Sequence, residues 1–275
     1  MRIATWNVNS LKARQDRVLE WLELRAPDIL LLQETKLADD AAPLMAFGMA
    51  GYELLHHGEG RWNGVAIASR VGIADVVTNF GDGPVRDSGP GSGLSQTAEE
   101  DFDPLDEARM VSAVCGGIRV VSLYAPNGRA LGTPFYAGKL AWFERLSRWL
   151  AETRDPAEPL LLGGDFNVAP EDLDVYDPAD FVGTTHTSGP ERAAMARLRA
   201  WGLEDVVRPF HPEPGFYTWW DYRAGNFHKN LGMRIDHLYA TRSLAARATG
   251  AERDRDARKG KLPSDHAPVW VDLAG

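Results

Sequence analysis

Four apolar runs in this chain meet short polar clusters: TWNVNS at Thr5–Ser10, LQETK at Leu32–Lys36, GDFNV at Gly164–Val168 and SDHAPV at Ser264–Val269. Each cluster sets Asp, Glu, Asn or His at the end of a segment that reads as a buried strand. A fold that packs such strands side by side brings their polar ends to one mouth of a sheet. Oxygen-rich clusters without cysteine suit a hard cation such as Mg²⁺ or Mn²⁺. A hard cation beside a histidine is the equipment of phosphoester hydrolysis. The clusters therefore point to a reaction as well as to a fold.

The chain has 275 residues, 44% of them hydrophobic, enough for a large core. No uncharged apolar run approaches the ~20 residues of a membrane span. The segment MRIATWNVNS lacks the apolar stretch and small-residue cleavage site of a secretory signal. A single cysteine, Cys115 in VSAVCGG, permits no intramolecular disulfide and reads as a buried inert thiol. These features lead to the expectation of a cytoplasmic protein. The net charge of −9 argues against coating nucleic acid by bulk charge. It leaves room for a nuclease, because basic residues gather at Arg223–Arg234 and Arg253–Lys261 while acids concentrate elsewhere.

Ile3–Val8 reads as a strand, followed by an amphipathic helix over Leu11–Arg25 that Ser10 can cap and Pro27 ends. Asp28–Gln33 is a buried strand, and Tyr52–His57, Gly64–Ser69 and Ile73–Thr78 are further strands. Asn79–Ala108, rich in Gly, Pro, Ser and acids, has no period and reads as a long exposed loop. Met110–Cys115 and Ile118–Tyr124 form a hairpin about Gly116-Gly117. Tyr136–Thr153 and Pro190–Trp201 are helices, and Pro159–Leu162, Arg234–Ala240 and Val269–Leu273 are strands. Strands outnumber helices and many are hairpin neighbours, so the pattern is not a simple βαβ alternation. It predicts one α/β domain over 1–275, two packed mixed sheets with helices outside.

Within the clusters, Glu34 follows a buried strand directly and is a candidate cation ligand, against the alternative of a surface turn residue. Asn7 and Asn9 lie two residues apart, on one face if the strand continues, but an asparagine before a helix also forms turns. Asp165 and Asn167 share that spacing and together can hold a phosphate and orient a water. Gly163 and Gly164 leave the backbone beside them open to close approach. Asp265 and His266 are adjacent, so on an extended chain one can reach a metal and the other the scissile group. A catalytic histidine needs an orienting acceptor, and Asp236 in RIDHLY is the candidate.

As a set, ATWNVNSLKAR, LQETK, RWNGVAI, SLYAPNGR, GDFNVAPEDLDV, YTWWDYRAGNFHKNLGMRID and KGKLPSDHAPVWVDL resemble the exonuclease III family of AP endonucleases, in the family's order and nearly end to end. GDFN or SDH alone would indicate only the wider endonuclease/exonuclease/phosphatase superfamily. The resemblance implies a four-layer α/β/β/α sandwich with the site at one edge of its sheets. It implies hydrolysis of the phosphodiester 5′ to abasic sites, leaving a 3′-hydroxyl, with 3′→5′ exonuclease and 3′-phosphatase or phosphodiesterase activity. The implied partner is double-stranded DNA with abasic sites or blocked 3′ ends, the implied cofactor Mg²⁺ with Mn²⁺ as substitute, and the implied state a monomer.

Carried over motif by motif, the resemblance makes Glu34 the main metal ligand, with Asn7 and Asn9 beside it and Asp265 near the metal. Tyr124 donates to the phosphate or aids the leaving group, Asp165 handles the attacking water, and Asn167 binds a phosphate oxygen. Asp236 orients His266. An unperturbed aspartate near ~4 is a weak base, so burial or metal must help Asp165. A His266 paired with Asp236 favours the imidazolium, suited to the transition state. The acid-to-neutral limb of the pH–rate profile is expected to depend on His266. Trp219 would line the pocket for a flipped abasic sugar, with Trp220 in the core. Met233 and Ile235 flank that pocket, Met233 standing where many relatives carry tryptophan. Arg223, Lys229 and Arg234 would touch backbone phosphate, and Arg109 would make a structural salt bridge. Two other functions share part of this pattern: a superfamily phosphatase acting on small phosphoesters, without need of the TWWDYR block, and a non-catalytic DNA-binding relative, which should have lost a ligand or the histidine.

Overall fold

The computed structural model describes residues 1–81 and 104–275. Strand β1 (Arg2–Asn7) leads into helix α1 (Leu11–Arg25), which starts on Ser10, whose hydroxyl accepts from the Ala13 amide. The helix stops at Ala26 in a left-handed conformation before Pro27, where the chain must leave the helical region. Strand β2 (Ile29–Gln33) then returns parallel to β1, Ile3 opposite Ile29 and Asn7 opposite Gln33. All five residues of β2 are buried, as expected of a strand covered on both faces. A short helix α2 (Leu44–Met49) and strands β3 (Glu53–His57) and β4 (Val65–Ser69) follow. Strand β5 (Ala74–Thr78) opens the second sheet, continued by β6 (Met110–Cys115) and β7 (Ile118–Tyr124), a hairpin turning at Gly116-Gly117 as expected.

Helix α3 (Pro134–Thr153) has Thr133 as cap and proline at its first position. It delivers the chain to β8 (Leu160–Asp165), parallel to β7. Helix α4 (Gly189–Trp201) opens on a reciprocal Ser188–Glu191 capping box and closes at Gly202. Then come β9 (Leu203–Asp205), α5 (Asn226–Lys229), β10 (Asp236–Thr241), α6 (Arg242–Ala245), β11 (Ala248–Arg253) and β12 (Val269–Leu273).

The strands form two six-stranded mixed sheets, ordered β11-β12-β1-β2-β4-β3 and β5-β6-β7-β8-β10-β9. One apolar cluster, with Ile3, Leu31, Val120, Leu161 and Leu238, lies between the sheets. A second sets α3 and α4, through Trp142, Phe143, Leu146 and Leu198, on the outer face of the second sheet. A third sets α1, through Val18, Trp21 and Leu22, on the outer face of the first. This is the expected α/β/β/α sandwich. Gly163 allows the sheets to close. A Cβ there would lie 2.6 Å from Leu31 Cδ1 and 2.7 Å from Leu238 Cδ2. The close approach inferred at Gly163-Gly164 is thus made by the protein's own packing: at Gly164 an added Cβ would meet the Leu123 carbonyl oxygen.

Edge strands β9 and β11 carry no apolar run and were not expected; β11 (ATGAER) pairs with β12 across a register shift at Gly250. The strand expected from Arg234 begins at Asp236, because the Arg234 amide donates to the Asp174 carbonyl instead. The ends of the expected loop Asn79–Ala108 are not exposed. Asn79, Phe80 and Ala108 are buried, and Phe80 packs on Trp142. Residues 82–103, most of that expected loop, lie outside the described residues. Cys115 is buried and unbridged. Among the described residues no helix is long and apolar enough to cross a membrane.

Candidate active site

The parallel pairs β1–β2 and β7–β8 end at the same rim of the sandwich. In the second sheet Tyr124, Asp165 and Asp236 are direct neighbours in register, one from each of β7, β8 and β10. Asn7 ends β1 in the first sheet, and Glu34 follows β2 with a left-handed backbone (φ 50). The Asn7 amide bridges the sheets, Nδ2 donating to Glu34 Oε1 at 2.8 Å and to Asp165 Oδ2 at 2.9 Å. Its Oδ1 accepts from the Asn9 amide at 3.0 Å. Asn7 therefore acts here as a donor that spaces two carboxylates, and the turn reading of the NVN motif holds for its carbonyl.

Asn9 does not share a strand face with Asn7, because the chain leaves β1 at Asn7 and Asn9 is left-handed (φ 44). Its side chain reaches across to other clusters: Oδ1 accepts from Lys36 Nζ at 2.6 Å, and Nδ2 donates to Asp265 Oδ1 at 3.0 Å. Asp265 also accepts from Trp219 Nε1 at 3.0 Å. Both its oxygens are occupied, so Asp265 ties the Asn9 turn to Trp219.

His266 Nδ1 donates to Asp236 at 2.8 Å, and its Nε2 lies 3.7 Å from Asp165 Oδ2. Ser264 holds the loop in place, its hydroxyl donating to the Asn7 carbonyl at 2.7 Å and accepting from the His266 amide. Burial opposes charge on this imidazole, but Asp236 and then Asp165 outweigh it and push His266 up to about 10. Burial, with Asp236 and Glu34 adding to it against His266, raises Asp165 to about 7. Burial is the help this base needs. The directions of these shifts favour Asp165 over His266, the group expected from the sequence, as the one that titrates between acid and neutral pH. Burial, then Glu34, pushes the Tyr124 phenol well above its ordinary value despite Arg109, leaving a proton donor. Arg109 stacks 4.9 Å from the Tyr124 ring and pairs with Glu107 at 2.5 Å, the structural role expected of it.

Asn167 takes a left-handed backbone (φ 53), its amide donating to Asp165 Oδ1 at 2.9 Å. Its side-chain Nδ2 donates to the Ala125 carbonyl at 2.9 Å, and its Oδ1 accepts from Asn127 Nδ2 at 3.1 Å. Neither Asn127 nor Lys36 was singled out from the sequence. Both lie inside motifs that were, and Asn127's place in an NG pair and the i+2 spacing of Lys36 from Glu34 were the available signals.

Oxygen or nitrogen atoms of Glu34, Asp165 and His266 lie within 4.8 Å of one another. The Lys36 ammonium already sits 2.9 Å from Glu34 Oε2 and against Asn9 Oδ1, showing that this corner accepts a cation. A hard divalent ion fits that oxygen donor set.

Residues 4–266 match the model of the endonuclease/exonuclease/phosphatase family. Exodeoxyribonuclease III of Haemophilus influenzae is 32% identical over 99% of this chain and 100% of its own. An exodeoxyribonuclease of Bacillus subtilis is 30% identical over 98% of each. Among solved structures, an AP endonuclease from Archaeoglobus fulgidus superposes with a TM-score of 0.89 at 35% identity, covering 99% of both chains. The 3′ phosphatase NExo from Neisseria, bound to a product DNA hairpin, superposes at 0.87 with 38% identity over the whole of both chains. The chain belongs to the exonuclease III branch of the endonuclease/exonuclease/phosphatase family. It is a DNA-repair nuclease, a phosphodiester hydrolase of that family.

Of the DNA contacts that exonuclease III resemblance implies, the structure separates two groups. Arg223 and Lys229 are on the surface, Arg223 pairing with Asp221 at 2.7 Å. Arg234 is buried and cannot touch a phosphate: its guanidinium bonds Asp174 and Asp205, each at 2.6 Å. Burial alone would raise the Asp205 carboxyl, but Arg234 outweighs it and holds it down to about 2. Met233 and Ile235 are buried too, packing with Ala169 and Val175 beneath the half-buried Trp219. They lie beneath the Trp219 ring, which is partly open to solvent. Trp220 is fully buried, as expected.

Proposed function

We propose that this nuclease hydrolyses the phosphodiester 5′ to abasic sites in duplex DNA, leaving a 3′-hydroxyl, and clears blocked or normal nucleotides from 3′ ends, with Mg²⁺ as its metal and Mn²⁺ as a substitute. The observation that carries this reading is the convergence of Glu34, Asp165 and His266 on a space beside Tyr124 and Asn167. A divalent cation, held by Glu34 with the Asn9 side-chain oxygen beside it, would supply positive charge to the scissile phosphate when bound.

The chain's own groups do the rest. Asp165, ionised, takes a proton from the attacking water through Oδ2, oriented by the Asn7 amide. The His266 imidazolium, fixed by Asp236, presents Nε2–H to a phosphate oxygen as negative charge grows there. Asn167 offers its remaining Nδ2–H to a second oxygen. Tyr124, held protonated, donates to the phosphate or to the departing 3′-oxygen. Trp219, on its Met233–Ile235 floor, would meet an unstacked abasic sugar, and Arg223 and Lys229 the DNA backbone. The proposal treats the protein as a monomer acting in the cytoplasm.

Cleavage of a duplex bearing one central abasic analogue, alongside an intact blunt duplex and a soluble phosphomonoester, tests this. Incision at the abasic position with Mg²⁺, abolished by EDTA, is expected. Phosphate release from the soluble ester without incision of the duplex would overturn the reading in favour of a small-molecule phosphatase.

A further inference from the structure

Against the Asn167 carbonyl lies a polar network buried between α3 and α4. Lys139 of α3 is fully buried, and so is Glu191 of α4; their charges meet at 2.5 Å. The same ammonium donates to the backbone carbonyl of Asn167 at 2.7 Å and to that of Asn127 at 3.1 Å. His186 Nδ1 is a second donor to the Asn167 carbonyl, at 2.6 Å. Glu191 in turn accepts from the Thr185 hydroxyl, the His186 amide and the Ser188 amide and hydroxyl. An apolar pair would fill this space without desolvating two charges, so helix packing by itself does not call for them.

What the pair does contact is informative. Asn167 and Asn127 share a side-chain hydrogen bond, and both backbone carbonyls point at one ammonium. The left-handed backbone of Asn167 is set by the turn its amide closes on Asp165, so what the lysine and His186 add is a hold on the carbonyl side of that residue. We propose that the Lys139–Glu191 pair, with His186, is a positioning device: it fixes the backbone of Asn127 and Asn167 so that the Asn167 amide meets the phosphate oxygen. This rests on the reading of Asn167 as a phosphate ligand. Lys139, Glu191 and His186 touch no reacting atom; they act through Asn167.

The test is single-turnover cleavage of the abasic duplex by Lys139→Met, Asn167→Ala and the double variant, with thermal unfolding and duplex binding in EDTA measured alongside. Lys139→Met should slow cleavage about 10–100-fold, the range for groups that orient a functional side chain, with binding in EDTA changed less than about twofold. In the Asn167→Ala background the same substitution should cost less than about threefold, because the group it positions is gone. An undiminished cost in that background, or no cost in either, overturns the proposal. No effect of Asn167→Ala itself overturns the reading of Asn167 and the proposal with it, whereas slow Asn167→Ala with additive Lys139→Met overturns the positioning role alone. If Lys139→Met does not fold, His186 carries the test. His186→Gly suits the local φ of 78 and removes the donor. His186→Asn tolerates that φ and restores an N–H in the place of Nδ1. Loss with glycine and recovery with asparagine is expected; equal rates for the two variants overturn the proposal.

Discussion

Strands β1 and β8 finish with the same local device. Asn7 accepts from the Asn9 amide and Asp165 accepts from the Asn167 amide, each bond closing a side-chain turn that throws the second residue into the left-handed region. Their surroundings differ. On the first sheet the carboxylate, Glu34, faces a lysine ammonium and keeps 16% of its side chain exposed, so a cation can come and go. On the second, Asp165 is 2% exposed and faces an imidazolium held by a further buried carboxylate. One strand end is built for an exchangeable charge, the other for a proton. The contrast teaches that two copies of one turn acquire different chemistry from the charges and solvent around them.

The largest expected break in this contrast is Asp165→Asn, which keeps shape and removes the proton acceptor. Its single-turnover rate should fall by about 10²–10⁴-fold at every Mg²⁺ concentration. Recovery at high Mg²⁺ would place Asp165 with the metal and erase the division of labour.

Next in size is Glu34→Gln. The Mg²⁺ concentration for half-maximal rate should rise at least about tenfold, because a charged oxygen is lost from a hard-cation site. An unchanged metal titration would show that the cation is held elsewhere.

The pH profile sharpens the second half of the comparison. Asp165 must be ionised and is raised to about 7 before a cation binds, so the rate should climb on the acid side of neutrality; His266 must be protonated and is raised to about 10, so the rate should fall only in alkali. Asp236 is the largest charge raising His266 against burial, so Asp236→Asn should bring the alkaline limb to lower pH and leave less protonated enzyme at pH 9. A bound cation near Asp165 should move the acid limb downward. An alkaline limb indifferent to Asp236→Asn would remove the imidazolium from the mechanism.

The smallest effect belongs to the surface. Arg223→Ala should lower the slope of log Kd against log salt by about 1 for duplex DNA, with little change in the bond-breaking step. An unchanged slope would take Arg223 off the DNA path.

The polar clusters were legible because chemistry and strand ends coincide in the primary structure: a carboxylate after ILLLQ, a GDFN after LLL, a histidine just before VWV. The Asp236–His266 pairing was also legible, since a catalytic histidine needs an orienting acceptor and RIDHLY offered Asp236 on a separate strand. Arg234 was misread because RID sits in a basic segment, and nothing local reveals that Asp174 and Asp205 close over it. Lys139 gave no signal, since a lysine on a helix ordinarily faces water; only the docking of α4 brings Glu191 to it. Edge strand β11 was invisible because an edge needs no continuous apolar run.

By itself the sequence determined the two packed sheets, the rim at which they end, and the family of reactions those polar groups can serve. Hydrophobic periodicity and residue type are local properties, and they suffice for that. Only the tertiary structure decided that burial lifts Asp165 towards neutrality, that Asn7 donates where a ligand was expected, and that a buried lysine holds the Asn167 carbonyl. Those outcomes depend on burial and on charges from residues distant in the chain, quantities that exist only once the sheets have closed.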